Sequence, residues 1–255
     1  MKHRESWLPL VAIFNVGFLY LPILVLLVFS FNASRLAATW QGFSWHWYSQ
    51  LAENGALHAA VHNSLLVAVA STAVATVLGI PAAMGLERLA RRSRQILGGL
   101  FLLPLVIPEV MMGVSLLLLF VMIGMPLGLT TVILGHTTFN LPVVIVLVRT
   151  KLRKLDPCLE EAAADLGASP WEIFRLITLP LLRPAILGAV LLAFTVSLDD
   201  FIVTFFVAGP GATTLPLKVY SMIKSGVSPE INALSALMVL LSMGLVSISL
   251  LLQRR

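Results

Sequence analysis

Long runs without a charged residue decide what this chain can become. No Asp, Glu, Lys or Arg stands between Glu53 and Glu87 or between Glu230 and Arg254. Only Glu109 interrupts the run from Arg94 to Arg149. About 20 consecutive apolar residues carry a helix across a bilayer, so runs of this length read as membrane spans. Charged residues make up 11% of the 255-residue chain, against about 25% in soluble domains. The expected fold is all-α and polytopic, one membrane domain rather than a soluble globule.

Six transmembrane helices are expected, at 8–29, 64–86, 96–123, 129–148, 185–208 and 233–252. The third is expected to kink at Pro104 and Pro108, since each proline removes a ladder hydrogen bond. Lys2 and Arg4 ahead of the first apolar run resemble a signal peptide, but the run is too long for one and reads as a retained span. In the second helix, Ser64, Ala68, Thr72 and Thr76 form one small-residue row, and Ser71, Ala75, Gly79 and Ala83 another. Such rows let helices approach closely in lipid.

The basic residues give a direction. Fourteen of the 17 Lys and Arg fall on one side of this six-span arrangement; only Arg35, Lys218 and Lys224 fall on the other. The positive-inside rule then places both termini and the loop after helix 4 in the cytoplasm. The net charge of +5 suggests membrane topology more than a nucleic-acid partner. Cys158 is the only cysteine, so an internal disulfide is impossible.

The cytoplasmic loop, about 150–183, is too long to be structureless in a compact chain. Asp156 can cap a short helix that opens with Pro157, and Gly167 can end it in a left-handed turn. Ser169, Pro170, Trp171 and Glu172 spell a capping box for a second helix, with Pro180 and Pro184 as its expected limit. Ala162 and Ala163 leave one arm without bulk, so a groove could seat it, and Trp171, Phe174 and Ile177 give the other an apolar side. From the residues alone two readings are open: a docking element, or a hairpin that merely joins two spans.

The full spacing is more specific. Glu161, Ala162 and Ala163 are followed after three residues by Gly167, and after nine more by Ile177, Leu179 and Pro180. This pattern resembles the coupling loop of permease subunits in type I ABC importers, over about residues 60–252. The resemblance implies a second permease subunit, an ABC ATPase dimer below and a periplasmic substrate-binding protein outside. It implies that Glu161, Ala162, Ala163 and Gly167 form the ATPase-coupling element. It also implies an inner-membrane location, with residues 1–59 as an added N-terminal span and outer loop and 253–255 as a short tail. The chain has no GxxxxGK[ST] phosphate loop, so ATP and magnesium would sit on the partner, with no cofactor on this chain.

Asp199 and Asp200 are expected inside the fifth helix. A carboxylate at mid-membrane costs roughly 2.5–3.5 kcal/mol to insert, so such residues face protein or a water-filled path. Adjacent helical residues point about 100° apart. One aspartate should therefore face the path while the other bonds to a neighbouring helix. Glu109, after Pro108, is the third candidate for the substrate path. A cation-attracting path, a structural hydrogen-bond network and pairing with Lys218 or Lys224 are all open for these acids.

The stretches SLDD, GPGATTLP, VYS and GVSPEINAL, with the segment 31–51, resemble the polyamine (putrescine and spermidine) importer permeases. That implies a small di- or polyamine cargo, to which a carboxylate path is suited. Other cargoes of the same importer class, and an ATP-independent carrier or channel, are the alternatives. Carriers of that kind show internal repeats and matched broken helices, which the sequence does not display. Trp40, Trp45, Trp47 and Tyr48 are expected to anchor an outer loop at the lipid interface, with contact to a binding protein as the alternative. His46, His58, His62 and His136 lack metal-ligand spacing and read as polar or interfacial. No HExxH, GxSxG or paired-Cys site points to an enzyme.

Overall fold

The computed structural model describes residues 8–34, 39–224 and 229–253. Lys2, Arg4, Arg35, Arg254 and Arg255, used above for orientation, lie outside them, as do residues 226–228. The described residues form helices and no strand, with one isolated bridge between Asn32 and Phe43.

The chain divides into two compact units. The first comprises residues 1–58 and 218–255. In it α1 (Leu8–Phe29) and α2 (His46–Glu53) both pack on α12 (Pro229–Gln253). Asn54 Nδ2 donates to Glu230 Oε1 at 3.2 Å. Between α1 and α2, Asn32 organises the loop. Its Oδ1 accepts from the Gln41 amide at 2.8 Å, its Nδ2 donates to the Thr39 carbonyl at 2.7 Å, and its own carbonyl accepts from Trp47 Nε1 at 2.7 Å. Trp47 is thus buried structure and not a lipid anchor; Trp40 and Trp45 remain exposed.

The second unit, residues 59–217, holds the membrane core. Its long helices are α3 (Gly55–Arg88) and α6 (Leu129–Leu152). The buried small rows of α3 face α6 so closely that a Cβ on Gly79 would lie 2.6 Å from Val144 Cγ1. Glycine at that position sets the helix separation. One apolar cluster forms around Val132, Phe139, Val203 and Val207. A second surrounds Ala75, Val144, Val148 and Leu182.

Three expected helices change shape. The third span is two helices, α4 (Arg91–Val106) and α5 (Glu109–Met122), at 103° to each other. Pro104 lies within α4 and does not end it. The break falls at Ile107 and Pro108, both extended with ψ of 133° and 132°. A residue before proline is driven out of the helical region, and here the chain follows that preference. Pro180 and Pro184 do not end the second loop helix. It runs unbroken from Pro170 to Asp199 through α8 (Pro170–Ile173), a π turn (Phe174–Thr178) and α9 (Leu179–Asp199). The π turn contains Leu176, whose carbonyl the Pro180 ring would otherwise meet, so the wider turn accommodates the ring. The fifth span then breaks after Asp199 and resumes as α10 (Ile202–Val207).

Four helices are long and apolar enough to cross a bilayer: Val11–Phe29, Gly55–Arg88, Leu129–Leu152 and Pro170–Asp199. The α4–α5 pair supplies a fifth if its arms form one span, and the sixth expected span falls on α12, where Pro229–Leu240 is a shorter apolar helix. After α10, the turn at Gly209 packs on the backbone of Leu127 and Gly128. Asn63 Nδ2 holds the same turn through the carbonyls of Gly211 (2.9 Å) and Thr213 (3.0 Å). The chain then enters α11 (Leu215–Lys224).

Candidate functional site: an exposed hairpin and a buried relay at a helix break

The residues of the proposed coupling element lie on α7 (Cys158–Asp165) and the turn after it. Asp156 Oδ1 accepts from the Cys158 amide at 3.0 Å and so caps the helix start. Gly167 has φ +87°, the left-handed conformation that glycine adopts without strain. The Ala168 amide reaches the Ala163 carbonyl at 3.0 Å and the Gly167 amide the Ala164 carbonyl at 2.9 Å. Those two bonds are a Schellman ending. Ser169 and Glu172 then make the reciprocal capping box, at 2.8 Å and 3.4 Å. The arms are tied by Thr178 Oγ1, which donates to Glu160 Oε1 at 2.6 Å. Glu161, Ala162 and Gly167 are exposed and Ala163 is half-buried. Leu166 is 89% exposed and Trp171 65%. The hairpin is rigid in its own hydrogen bonds, yet it leaves its largest apolar groups uncovered.

The second candidate lies where α9 ends. Asp199 and Asp200 stand at the break rather than within a continuous helix, because the Asp200 backbone is extended, with ψ 125°. The Asp200 carboxylate caps α10 instead: it accepts from the Val203 amide (3.3 Å), the Thr204 amide (2.9 Å) and Thr204 Oγ1 (2.9 Å). His136 of α6 comes to 3.1 Å from Asp200 Oδ2 through Nε2. Both side chains are almost fully buried, at 1% and 7% exposure.

The hydrogen bonds form a connected relay. Thr204 gives its hydroxyl proton to Asp200, so it can only accept at the 2.9 Å contact with His136 Nε2. Nε2 therefore carries a proton. His136 Nδ1 lies 2.6 Å from Ser197 Oγ, which lies 3.2 Å from Ser71 Oγ, to which Asn140 Nδ2 donates at 3.3 Å. Four helices, α3, α6, α9 and α10, are joined by this relay. Asn140 Oδ1 and the hydroxyls of Thr72 and Thr76 are buried without a hydrogen-bond partner among the described residues.

Asp199 differs from its neighbour. It is exposed and makes no hydrogen bond or ion pair among the described residues. Glu109 is likewise exposed, at the first position of α5 immediately after the other break. The two acids do not bond to each other, but the elements that follow the two breaks do pack. A Cβ on Gly113 of α5 would sit 2.7 Å from the Phe206 ring of α10. Among the described residues no cluster of His, Cys, Asp and Glu could hold a metal ion.

His136 is the residue that sequence reasoning missed. It is buried in the core, not interfacial. Its position deep inside a charge-free run was the available signal, since ionisable groups there are functional by default. Ser71 also does more than pack, although it sits in a small-residue row. Two interrupted helices are present as well: the third span, expected to kink at Pro104 and Pro108, breaks at Pro108, and the fifth, expected to be continuous, breaks after Asp199. Non-helical backbone at membrane depth is tolerated where protein buries it or a cavity surrounds it, and at the Asp200 break the relay supplies that cover.

Comparison with known proteins agrees with this architecture. The chain is 45% identical over 241 residues to the putrescine transport system permease protein PotI of Escherichia coli strain K12, covering 92% of this chain and 86% of that protein. It is 42% identical to the spermidine/putrescine transport system permease protein PotC of Haemophilus influenzae, covering 94% and 93%. A bacterial ABC transporter involved in alginate import has the same fold, with TM-score 0.75 at 16% identity and coverage of 98% and 97%. The MetNI methionine ABC transporter, in an inward-facing conformation, aligns with TM-score 0.65 at 21% identity, covering 78% of this chain and 94% of that one. Residues 75–255 match the family of binding-protein-dependent transport system inner membrane components, and this chain belongs to that family, as a multi-pass permease subunit of a type I ABC importer.

Proposed function

We propose that this chain is the permease subunit of an ATP-driven importer of small polyamines of the putrescine and spermidine type. The observation that carries the cargo is the similarity, at 42–45% identity over more than nine-tenths of the chain, to permeases named for those amines. The free carboxylates of Asp199 and Glu109 beside two helix breaks support it. Each can meet an ammonium without first giving up a partner. Asp200 serves the path differently, by holding α10 against α6 through His136.

The partner reading follows from the hairpin. An ABC ATPase dimer docks on α7 through Glu161, Ala162, Ala163 and Gly167, with Leu166 and Trp171 covered on docking. ATP and magnesium belong to that partner, and this chain binds no cofactor of its own. A second, homologous permease subunit completes the path, and a periplasmic binding protein delivers the amine. The arginine-rich helix ends, the hairpin and both chain termini lie on the cytoplasmic side of the inner membrane.

Co-purification tests the coupling. Glu161→Arg reverses the charge on the exposed face of α7 without touching its caps. The ATPase should be lost from that variant while the permease stays in the membrane. An ATPase that remains bound in full to Glu161→Arg overturns the docking assignment.

A further inference from the structure

The cytoplasmic end of the second unit carries a site that the transport reading does not use. A cavity of about 660 Å³ opens between α3, α4 and α6. Four arginines line its mouth, Arg91, Arg94, Arg149 and Arg153, against one carboxylate, Glu87. Glu87 Oε1 accepts from Arg149 Nε at 2.7 Å and Arg153 Nε at 3.0 Å, and Oε2 lies 3.4 Å from Arg94 Nη1. Each guanidinium has five N–H donors, whereas a carboxylate offers about four acceptor positions. One acid cannot satisfy these cations, so the mouth keeps an excess of positive charge and free donors. That charge repels an amine cargo.

The floor has a different character. Along one face of α4 the cavity runs past Gly98 and Gly99 to Leu102. At Gly98 the Arg149 guanidinium packs against the helix, 3.0 Å from where a Cβ would stand, and Gly99 faces open space. Seven residues of helix separate Gln95 from Leu102, about 10 Å of rise. Beside this floor Ile96, Leu100 and Leu103 expose a further apolar stripe, at 57%, 55% and 47%. A cationic mouth over an apolar, glycine-notched floor fits an amphiphile with an anionic head.

We infer that this cavity binds an anionic phospholipid of the inner leaflet, its phosphate held by Arg91, Arg94, Arg149 and Arg153 and an acyl chain lying along Gly99 and Leu102. The inference rests on the cytoplasmic placement proposed above. Basic pockets between spans on that side are suited to acidic head groups. The lipid would bridge α4 to α3 and α6, and so brace the first arm of the broken span.

The test is native mass spectrometry of the full chain purified with its ATPase, titrated with phosphatidylglycerol or with phosphatidylcholine of the same acyl chains. Phosphatidylglycerol should be retained at roughly tenfold lower concentration, given the several arginines involved. R91Q/R94Q should abolish that preference by removing charge. Gly99→Leu should weaken retention by filling the floor while every arginine stays in place, and it keeps the test standing if the double variant fails to assemble. No preference in the wild type overturns the inference, as does a preference that survives both variants. Equal binding of glycerol 3-phosphate would show an anion pocket without a lipid. Retention only after the ATPase is stripped away would assign the arginines to the partner. Because the ATPase is monitored in the same sample, its absence would count against the orientation and not the lipid.

Discussion

The buried pair of His136 and Asp200 gives a quantitative prediction. His136→Ala removes the contacts to Ser197 (2.6 Å), Thr204 (2.9 Å) and Asp200 (3.1 Å). Interhelical hydrogen bonds in membranes average about 0.6 kcal/mol, and Asp200 and Thr204 share the one Nε2 proton, so the two bonds of a neutral imidazole would cost about 1 kcal/mol. Stripping the partner from a buried charge pair costs about 3–5 kcal/mol. Asp200 retains three donors from α10 after the substitution, which argues for the lower figure. The expected loss is about 2–3 kcal/mol, between those limits. Asp200→Asn alone should cost less, since an amide oxygen still accepts from the Thr204 backbone. The informative quantity is the double-mutant cycle. Residues in direct contact couple by about 0.5–3 kcal/mol, and here at least about 1 kcal/mol is expected. Denaturant unfolding of the purified permease in detergent reads all four proteins. Additivity to within about 0.5 kcal/mol would refute the claim that these side chains act as one unit.

Other perturbations probe separate parts of the molecule. Gly79→Leu should disrupt the α3–α6 contact by at least about 1–3 kcal/mol, and Val144→Ala in the same chain should recover part of it; no recovery would mean the clash lies elsewhere. Gly167→Ala places a Cβ at φ +87° and should cost about 1–2 kcal/mol of local stability, read as faster proteolysis of the hairpin and weaker ATPase retention. Asp199→Asn should leave thermal stability within about 0.5 kcal/mol of wild type, because the side chain is exposed and unpaired; a larger loss would make it structural.

The sequence made some layers legible and hid others for identifiable reasons. The first span was legible as a long apolar run ending at Phe29, and the caps of the hairpin were readable because they depend on neighbours in sequence: Asp156, Gly167, Ser169 and Glu172 each act within a few residues. Prolines were a weaker guide. Pro108 breaks its helix and Pro104 does not, while Pro180 is absorbed by a π turn that nothing in the local sequence announced. The aspartates were recognised as unusual, but their division of labour depended on which helix lay opposite. His136 lies 64 residues before Asp200 in the chain, and no local pattern connects them. The excess of arginine was visible as a topological signal. Its gathering around a single Glu87 required the packing of α3, α4 and α6.

The claim at the centre is that this subunit imports polyamines by way of an acidic path. Uptake of labelled putrescine and spermidine, in cells lacking this chain and complemented with wild type, Asp199→Asn or Asp200→Asn at matched membrane levels, tests it most directly. Wild type should restore uptake, and Asp199→Asn should restore little of it while remaining assembled with its ATPase. Wild-type protein that is present, assembled and yet without effect on either amine would contradict the polyamine assignment.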